Sequence, residues 1–296
     1  MGHNLIRDIN KIFYEVEAKI YDERHPEVLE GDRDWWRQVA DTFLSTRSNN
    51  TIKIIDIGCG TGFVADVISP QFTSRDHVIC YDLSPAMLKE ARLKLASNVS
   101  CNISYLVGEA NYLPISSDSI DLVTLNAILH HLEDYKPLLE EVDRILTKEG
   151  FVVIAHEPNK LFFSSLTMRL LASTYKLLGL GKTMTDEMHH LINYKLKTQD
   201  LIDADLSKDE ILKMVEFNSP VEQSRISVDQ EKGLIPEELV QTFFSNYKLV
   251  ALNEYSTFFV RPLYLKFKWL GQLMRVMNKL LFGKGNLFSI ICQKTH

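Results

Sequence analysis

Asp56-Ile57-Gly58-Cys59-Gly60-Thr61-Gly62 joins a β-branched run at 52–57 to a helix-like apolar run at 64–68. Glycines at such a strand-to-helix turn let the backbone bend sharply and approach a ligand closely. The dinucleotide-binding pattern G-x-G-x-x-G would need its third glycine at position 63, where the chain has Phe63. The spacing therefore argues against a dinucleotide whose pyrophosphate lies on the helix end.

Strands and helices alternate around this turn. The patterns predict five strands, at 52–57, 78–81, 103–107, 120–125 and 151–155, with helices between them. Ser84-Pro85 is a typical helix start, and Gly150 is predicted to end the helix before the fifth strand. Successive β-α-β units predict an α/β fold, a doubly wound, Rossmann-like parallel sheet with helices on both faces.

The alternation is confined to the middle of the chain, which divides the sequence into four parts. Residues 1–48 are predicted to form an N-terminal helical cap, with helices at 5–20 and 34–45. Residues 49–158 form the core, and 159–245 a helical acceptor-site or lid segment with a capping box at Ser207 and Glu210. Residues 246–296 supply two more strands, at 249–260 and 287–293, with a helical insertion at about 261–284, which makes seven strands.

The composition is that of a globular protein. The 296 residues are 45% hydrophobic, too apolar for a disordered chain, and the net charge of −6 makes a nucleic-acid partner unlikely. The N-terminus lacks the apolar core of a signal peptide, and no apolar run is free of charges for the length of a membrane span. Four scattered cysteines without a C-x-x-C pair favour a reducing cytoplasm over a disulfide framework or a zinc site.

Asp82 gives the second indication of a ligand. It follows the second strand, where an acid can accept two hydrogen bonds from a ribose diol. Four segments then resemble the class I S-adenosylmethionine-dependent methyltransferases, particularly the branch with the ubiquinone/menaquinone-biosynthesis and small-molecule enzymes. They are IIDIGCGTG (54–62), VICYDLSPAML (78–88), LVGEANYLPISSDSIDLVTLNAILHHL (106–132) and LLEEVDRILTKEGFVVIAHEP (138–158).

The resemblance implies S-adenosyl-L-methionine as cofactor, S-adenosyl-L-homocysteine as product, and a set of cofactor-binding residues. Asp56 and the turn residues Gly58, Cys59, Gly60 and Gly62 would hold the methionine part, and Asp82 the ribose. Leu83 and Met87 would pack on the adenine, Glu109 and Ala110 would recognise its edge, and Asn126 would lie beside the sulfonium. Tyr14 and Tyr21 are predicted to close over the cofactor from the cap, with packing inside the cap as the alternative.

Histidines dominate the predicted acceptor side. A methyl acceptor needs a general base only if it must lose a proton, and His130, His131 and His156 are the candidates at the ends of the fourth and fifth strands. Glu157, Asn159, His189 and His190 are the candidates for contact with the substrate. For each of them the alternative is a structural role in packing or in a turn.

Several motifs of other methyltransferase classes are absent, and their absence makes some methyl acceptors and mechanisms unlikely. Asn126-Ala127-Ile128-Leu129 stands where methyltransferases of amino groups carry Asn/Asp-Pro-Pro-Tyr/Phe, and no Pro-Cys nucleophile is present. No cluster of acids follows the fourth strand, so no metal is expected. Two basic, apolar segments at 159–182 and 261–284 either cover the sheet and pocket or contact a membrane surface or an amphipathic substrate.

The prediction is an enzyme that methylates an oxygen of a hydrophobic or amphipathic small molecule, such as a natural product, quinone, isoprenoid or modified peptide. The alternatives are a quinone-type C-methyltransferase and a non-catalytic S-adenosylmethionine-binding partner protein. A nucleic-acid methyltransferase and an aminopropyl transferase fit the residues less well. The expected location is the cytoplasm, with peripheral membrane contact as an alternative.

Overall fold

A seven-stranded sheet organises the chain. The computed structural model describes residues 4–25, 33–46, 51–97, 99–164, 184–220, 232–255 and 285–295. The strands are β1 Lys53–Ile57, β2 His77–Asp82, β3 Asn102–Val107, β4 Ile120–Asn126, β5 Leu146–Pro158, β6 Tyr247–Tyr255 and β7 Leu287–Lys294. They lie in the order β3-β2-β1-β4-β5-β7-β6, and β7 runs antiparallel to the other six strands. The predicted seven-stranded doubly wound sheet is confirmed.

Helices flank this sheet and extend beyond it. They are α1 Leu5–Glu17, α2 Tyr21–Arg24, α3 Arg33–Ser45, α4 Phe63–Ile68, α5 Pro85–Leu95, α6 Lys136–Ile145, α7 Lys160–Phe163, α8 Asp186–Thr198, α9 Lys208–Val215 and α10 Pro236–Phe243. Single 3-10 turns cover Ala18–Ile20, Ser69–Gln71 and Leu129–His131. Ser84 caps α5, and Ser207 with Glu210 forms the predicted capping box of α9. Among the described residues, no helix is long and apolar enough to span a membrane.

The end of α6 differs from the prediction. The helix ends at Ile145 rather than near Gly150, and β5 already begins at Leu146, whose side chain is buried in the core. The pairing with β4 is irregular here, because Ile120 pairs with Leu146 and Leu122 with Phe151. A Cβ on Gly150 would lie 2.8 Å from the Leu146 side chain and from the Thr147 carbonyl oxygen. Gly150 therefore permits a tight irregularity within the strand and does not end the helix.

The described residues form three apolar clusters that stabilise the fold. One face of the sheet packs against α3, α4 and α5, and the other packs against α6 and α10. The third cluster lies outside the sheet and is called the cap cluster here; it joins α1 to α8 and α9 through Ile9, Ile12, Phe13, Met184, Met188, Ile192, Leu196, Ile211, Leu212 and Val215. The two helices predicted for 1–48 therefore do not form one cap. α3 packs on the sheet, whereas α1 packs on α8 and α9.

Several predictions concern residues outside the described part of the chain. These are the helical insertion at about 261–284, most of the basic segment 159–182, and the end of the strand predicted at 249–260.

Candidate active site

A cavity of about 380 Å³ opens at the carboxyl ends of β1, β2 and β4. This volume is within the range of small-molecule sites, and the carboxyl ends of strands are where such folds bind ligands. The helix α1 supplies Ile6, Arg7, Asn10 and Tyr14 to the lining. The sheet side and its loops supply Ile57, Gly58, Gly60, Tyr81, Asp82, Leu83, Met87, Gly108, Glu109, Ala110, Asn111, Asn126, Ala127, Ile128, His131, Leu132, Glu133 and Asp134.

The glycine turn after β1 forms one wall. Gly58, Gly60 and Gly62 have φ angles of +69°, +52° and +80°, which only glycine adopts without strain. A Cβ on Gly58 would lie 2.5 Å from the Ile128 side chain, so this glycine is required by packing. A Cβ on Gly60 would have no neighbour within 4 Å. Gly60 therefore leaves open space in the cavity wall, where a ligand can approach the backbone.

Asp82 is held rigidly at the end of β2. Its Oδ2 accepts a hydrogen bond from the Gly60 backbone N–H, and its Oδ1 accepts one from the Ser84 backbone N–H, both at 2.8 Å. Burial raises the pKa of this carboxyl group, while the backbone hydrogen bonds oppose that change. Each carboxylate oxygen has a further lone pair, so Asp82 can accept from two hydroxyl groups of a ligand in the cavity.

Asp56 and Asn126 each present a buried oxygen atom without a partner. Oδ1 of Asp56 accepts from the Thr124 hydroxyl at 2.7 Å, whereas its Oδ2, like the Oδ1 of Asn126, has no hydrogen-bond partner within the described ranges. Burial raises the pKa of Asp56 to about 7, and the nearby charge of Asp82 adds to this effect. Unpaired buried acceptors are costly, so these two oxygens fit a ligand that brings N–H donors, such as an ammonium group.

Helix α1, which lines one side of the cavity, is linked to the sheet domain by an ion pair. The Arg7 guanidinium donates to Glu109 Oε1 at 2.7 Å, which links α1 to the loop after β3. Tyr14 and Tyr21 both line the cavity, with ring centroids 6.3 Å apart. Arg7 and Asn10 were not predicted as site residues, although they share a helix face with Tyr14 at spacings of three and four. That periodicity is the signal that would have identified them.

His130 lies behind the cavity wall in a buried polar cluster. Its Nδ1 is 2.8 Å from Glu157 Oε2, and its Nε2 is 3.6 Å from Glu216 Oε2. Burial by itself would lower the pKa of His130, but the charges of the two carboxylates and the hydrogen bond to Glu157 outweigh it, so the pKa is raised. Glu157 also accepts the backbone N–H groups of Ile128 and Leu129, each at 2.8 Å.

His131 reaches the cavity itself. Its Nδ1 is 2.6 Å from the Val215 carbonyl oxygen, and its Nε2 is 3.0 Å from the Tyr14 hydroxyl. A carbonyl can only accept, so Nδ1 carries the proton and Tyr14 donates to Nε2. Burial lowers the pKa of His131 to about 4, and the neighbouring His130 contributes to that.

Asp56 is buried in β1 next to the cavity and is not part of its lining, and the remaining predicted residues also lie outside the lining. Cys59 and Gly62 are part of the turn and are buried in it, without lining the cavity. His156 has a φ of +59°, and its backbone N–H donates to the Tyr255 hydroxyl at 3.1 Å. His190 is exposed on α8, while His189 Nε2 is 2.7 Å from the Leu206 carbonyl oxygen.

Glu157 and Asn159, predicted to touch the substrate, are wholly buried. Glu157 anchors the 3-10 turn Leu129–His131 and His130, as described above. Asn159 caps α7 by accepting the Leu161 backbone N–H at 3.1 Å. Of the predicted acceptor-side residues, His131 is therefore the one that lines the cavity within the described part of the chain.

The central part of the chain is similar in sequence to known methyltransferases. Residues 55–154 match a family model described as a methyltransferase domain. Demethylmenaquinone methyltransferase from Lactococcus lactis is 32% identical over 145 residues, which are 49% of this chain and 56% of that protein. A ubiquinone/menaquinone biosynthesis C-methyltransferase from Coxiella burnetii is 29% identical over 168 residues, or 56% of this chain and 64% of that protein. The chain thus spans between half and two thirds of the length of these relatives.

Solved structures resemble the chain over a larger share of its length. An S-adenosylmethionine-dependent methyltransferase from Mesorhizobium loti has a TM-score of 0.51 and 16% sequence identity. The match covers 90% of this chain and all of that one. At this level of identity the likeness concerns the fold alone.

Proposed function

We propose that the chain transfers the methyl group of S-adenosylmethionine to an oxygen of a hydrophobic small molecule. The match of residues 55–154 to a methyltransferase domain supports this proposal. One observation carries this proposal. Asp82 stands at the cavity with both carboxylate oxygens fixed by backbone N–H groups and able to accept from a ribose diol.

Other residues in and next to the cavity lining fit the rest of the cofactor. The unpaired oxygens of Asp56 and Asn126 suit its ammonium group, and the open space at Gly60 suits close approach of its methionine part. Leu83, Met87 and Ala110 offer apolar surface for the adenine. The bound cofactor supplies a methyl group that is already activated, so the work of the protein is to position the acceptor and exclude water.

The acceptor side combines apolar walls with few polar groups. Ile6, Ile128 and Leu132 line the cavity together with Tyr14 and His131. Such a surface suits an apolar molecule that carries one polar group to be oriented. This composition supports a small hydroxylated acceptor.

Carbon methylation of a quinone-type ring is the second candidate. It is favoured by the relatives, one of which is a demethylmenaquinone methyltransferase and the other a C-methyltransferase of ubiquinone and menaquinone biosynthesis. The two reactions give different products, because one forms a methoxy group and the other a ring methyl group. Incubation with ¹³C-methyl S-adenosylmethionine and a panel of phenols and naphthoquinols, followed by NMR of the products, separates them. A non-catalytic binding protein would form neither product.

Calorimetric titration of S-adenosylmethionine and S-adenosylhomocysteine tests the cofactor site. We expect Asp82→Ala to weaken binding by about tenfold or more, the scale of losing charge-assisted hydrogen bonds. Asp76→Ala is the matched control, because Asp76 lies just before β2 and accepts the Ile52 and Thr73 backbone N–H groups at 2.9 and 2.7 Å. It should cost stability and leave the affinity within about twofold. Absence of binding to the wild type would contradict the proposal.

A further inference from the structure

Beside the cavity, His130, His131 and Glu216 bring three metal-binding groups together. One ring nitrogen of each histidine and one carboxylate oxygen of Glu216 all lie within 4.8 Å of one another. His130 and Glu216 are buried, and His131 is half-buried. We propose that these three side chains bind one divalent transition-metal ion of the zinc type.

Both histidines are oriented as metal-binding histidines usually are. Such residues donate their second ring N–H to a carboxylate or a backbone carbonyl, which fixes the tautomer and the ring plane. The Nδ1 of His130 is engaged by Glu157 at 2.8 Å, and the Nδ1 of His131 by the Val215 carbonyl at 2.6 Å. The Nε2 atoms are therefore the metal-binding atoms. That of His130 lies 3.6 Å from Glu216 Oε2, and that of His131 would exchange its hydrogen bond from the Tyr14 hydroxyl for the ion.

The spacing within the cluster also fits an ion. His130 Nε2 and Glu216 Oε2 are 3.6 Å apart, which is too long for a good hydrogen bond. Two ligands of one tetrahedral zinc ion, with bonds of about 2.0–2.1 Å, stand about 3.3 Å apart. A small inward adjustment would bring both atoms into the coordination shell.

The chemistry of the ligand set selects the class of metal. Two imidazole nitrogens and one carboxylate suit Zn²⁺ and its neighbours in the first transition row. Magnesium and calcium prefer sites made of oxygen ligands. Three protein ligands leave a coordination position open, which is typical of catalytic and not of structural zinc sites.

The location of the cluster indicates a task for this ion. His131 lines the cavity and its Nε2 is 3.0 Å from the Tyr14 hydroxyl, so the ion would stand at the cavity wall. There it would hold and polarise a hydroxyl oxygen of the methyl acceptor. That task rests on the proposed methyl transfer, whereas metal binding rests on the three side chains alone.

Titration of the chelator-treated protein with Co²⁺, followed by visible absorption and by competition with Zn²⁺, tests the site. We expect one equivalent to bind, and Glu216→Gln and His131→Gln each to weaken binding by about tenfold or more. His190→Gln is the matched control, because His190 also follows a histidine but is exposed on α8. It should bind like the wild type.

Thermal unfolding in the same samples separates loss of the site from loss of the fold. Saturating Zn²⁺ should raise the Tm of the wild type and of His190→Gln but not that of a folded Glu216→Gln. Equal Co²⁺ affinity in the wild type and Glu216→Gln, or no bound equivalent in the wild type, would overturn the metal site. Calorimetry of the metal-free protein with S-adenosylmethionine tests the proposed function separately.

Discussion

At the scale of single residues, Asp56 should make cofactor binding depend on pH. Its pKa in the ligand-free protein is raised to about 7 by burial, so the side chain is mostly protonated and neutral below that pH. An ammonium group needs the charged form. We therefore expect affinity for S-adenosylmethionine to increase between about pH 5.5 and 7, by up to about tenfold per pH unit where the group is protonated.

Calorimetry across this pH range, in buffers with different enthalpies of ionisation, measures the affinity and the protons released together. Asp56→Asn cannot ionise, so its affinity should be low and should vary less with pH than that of the wild type. Parallel pH profiles of the two proteins would show that another group controls the titration.

At the scale of the helices and loops, α1 is fastened across the cavity by side chains at its N-terminal end. Arg7 pairs with Glu109 at 2.7 Å, and Asn4 Nδ2 donates to Glu133 at 3.3 Å. Arg7→Gln should speed cofactor release by about two- to fivefold, because partly exposed ion pairs contribute at most about 1 kcal/mol. Stopped-flow displacement measures this rate, and high salt should reduce the difference.

Arg37→Gln is the control for this substitution. Arg37 pairs with Asp34 at 2.6 Å within α3, which packs on one face of the sheet and contributes no residue to the cavity lining. Its loss should leave cofactor release unchanged. If both variants released the cofactor at the same rate, the link between α1 and Glu109 would have no role in retention.

Local signals account for most of the elements that were predicted. Ser84 before Pro85 and Ser207 before Glu210 started helices where expected, because a capping side chain acts within one turn. The prediction that Gly150 ends the helix is wrong, since a glycine after an apolar helix resembles a C-terminal cap in sequence. The burial of Leu146 in the sheet, a long-range effect, determines the strand there instead.

At the scale of the whole molecule, the cap cluster is separate from the two clusters that cover the sheet. Ile192 is fully buried in it, so Ile192→Ala should cost about 2–5 kcal/mol and loosen α1, α8 and α9 together. Hydrogen exchange followed by mass spectrometry should show faster exchange in these helices, with β1, β2 and β4 retaining their protection.

Ile154→Ala provides the comparison, because Ile154 is fully buried in β5 within a sheet cluster. It should accelerate exchange through the sheet as well. If Ile192→Ala had the same uniform effect, the cap cluster and the sheet would unfold as one unit.

The site residues that the sequence does not predict are those brought together by packing between distant segments of the chain. Asp82 and the glycine turn lie in one β-α-β unit, so their proximity follows from local order. Glu216 lies near His130 because the end of α9 packs on the 3-10 turn Leu129–His131, where the Val215 carbonyl accepts from His131 and the Asn218 backbone N–H donates to the His130 carbonyl. The expectation of no metal rests on acids near the fourth strand in sequence, whereas Glu216 follows α9, far along the chain.

The position of β7 has a consequence for synthesis on the ribosome. Leu287–Lys294 inserts between β5 and β6, although it follows both in the chain. The nascent chain therefore exposes the apolar edge of β5 until residue 294 has left the exit tunnel, long after the glycine turn and Asp82 have emerged. An unpaired apolar strand edge invites pairing with other chains. We therefore expect chaperones that shield open strand edges to bind the nascent chain during this interval.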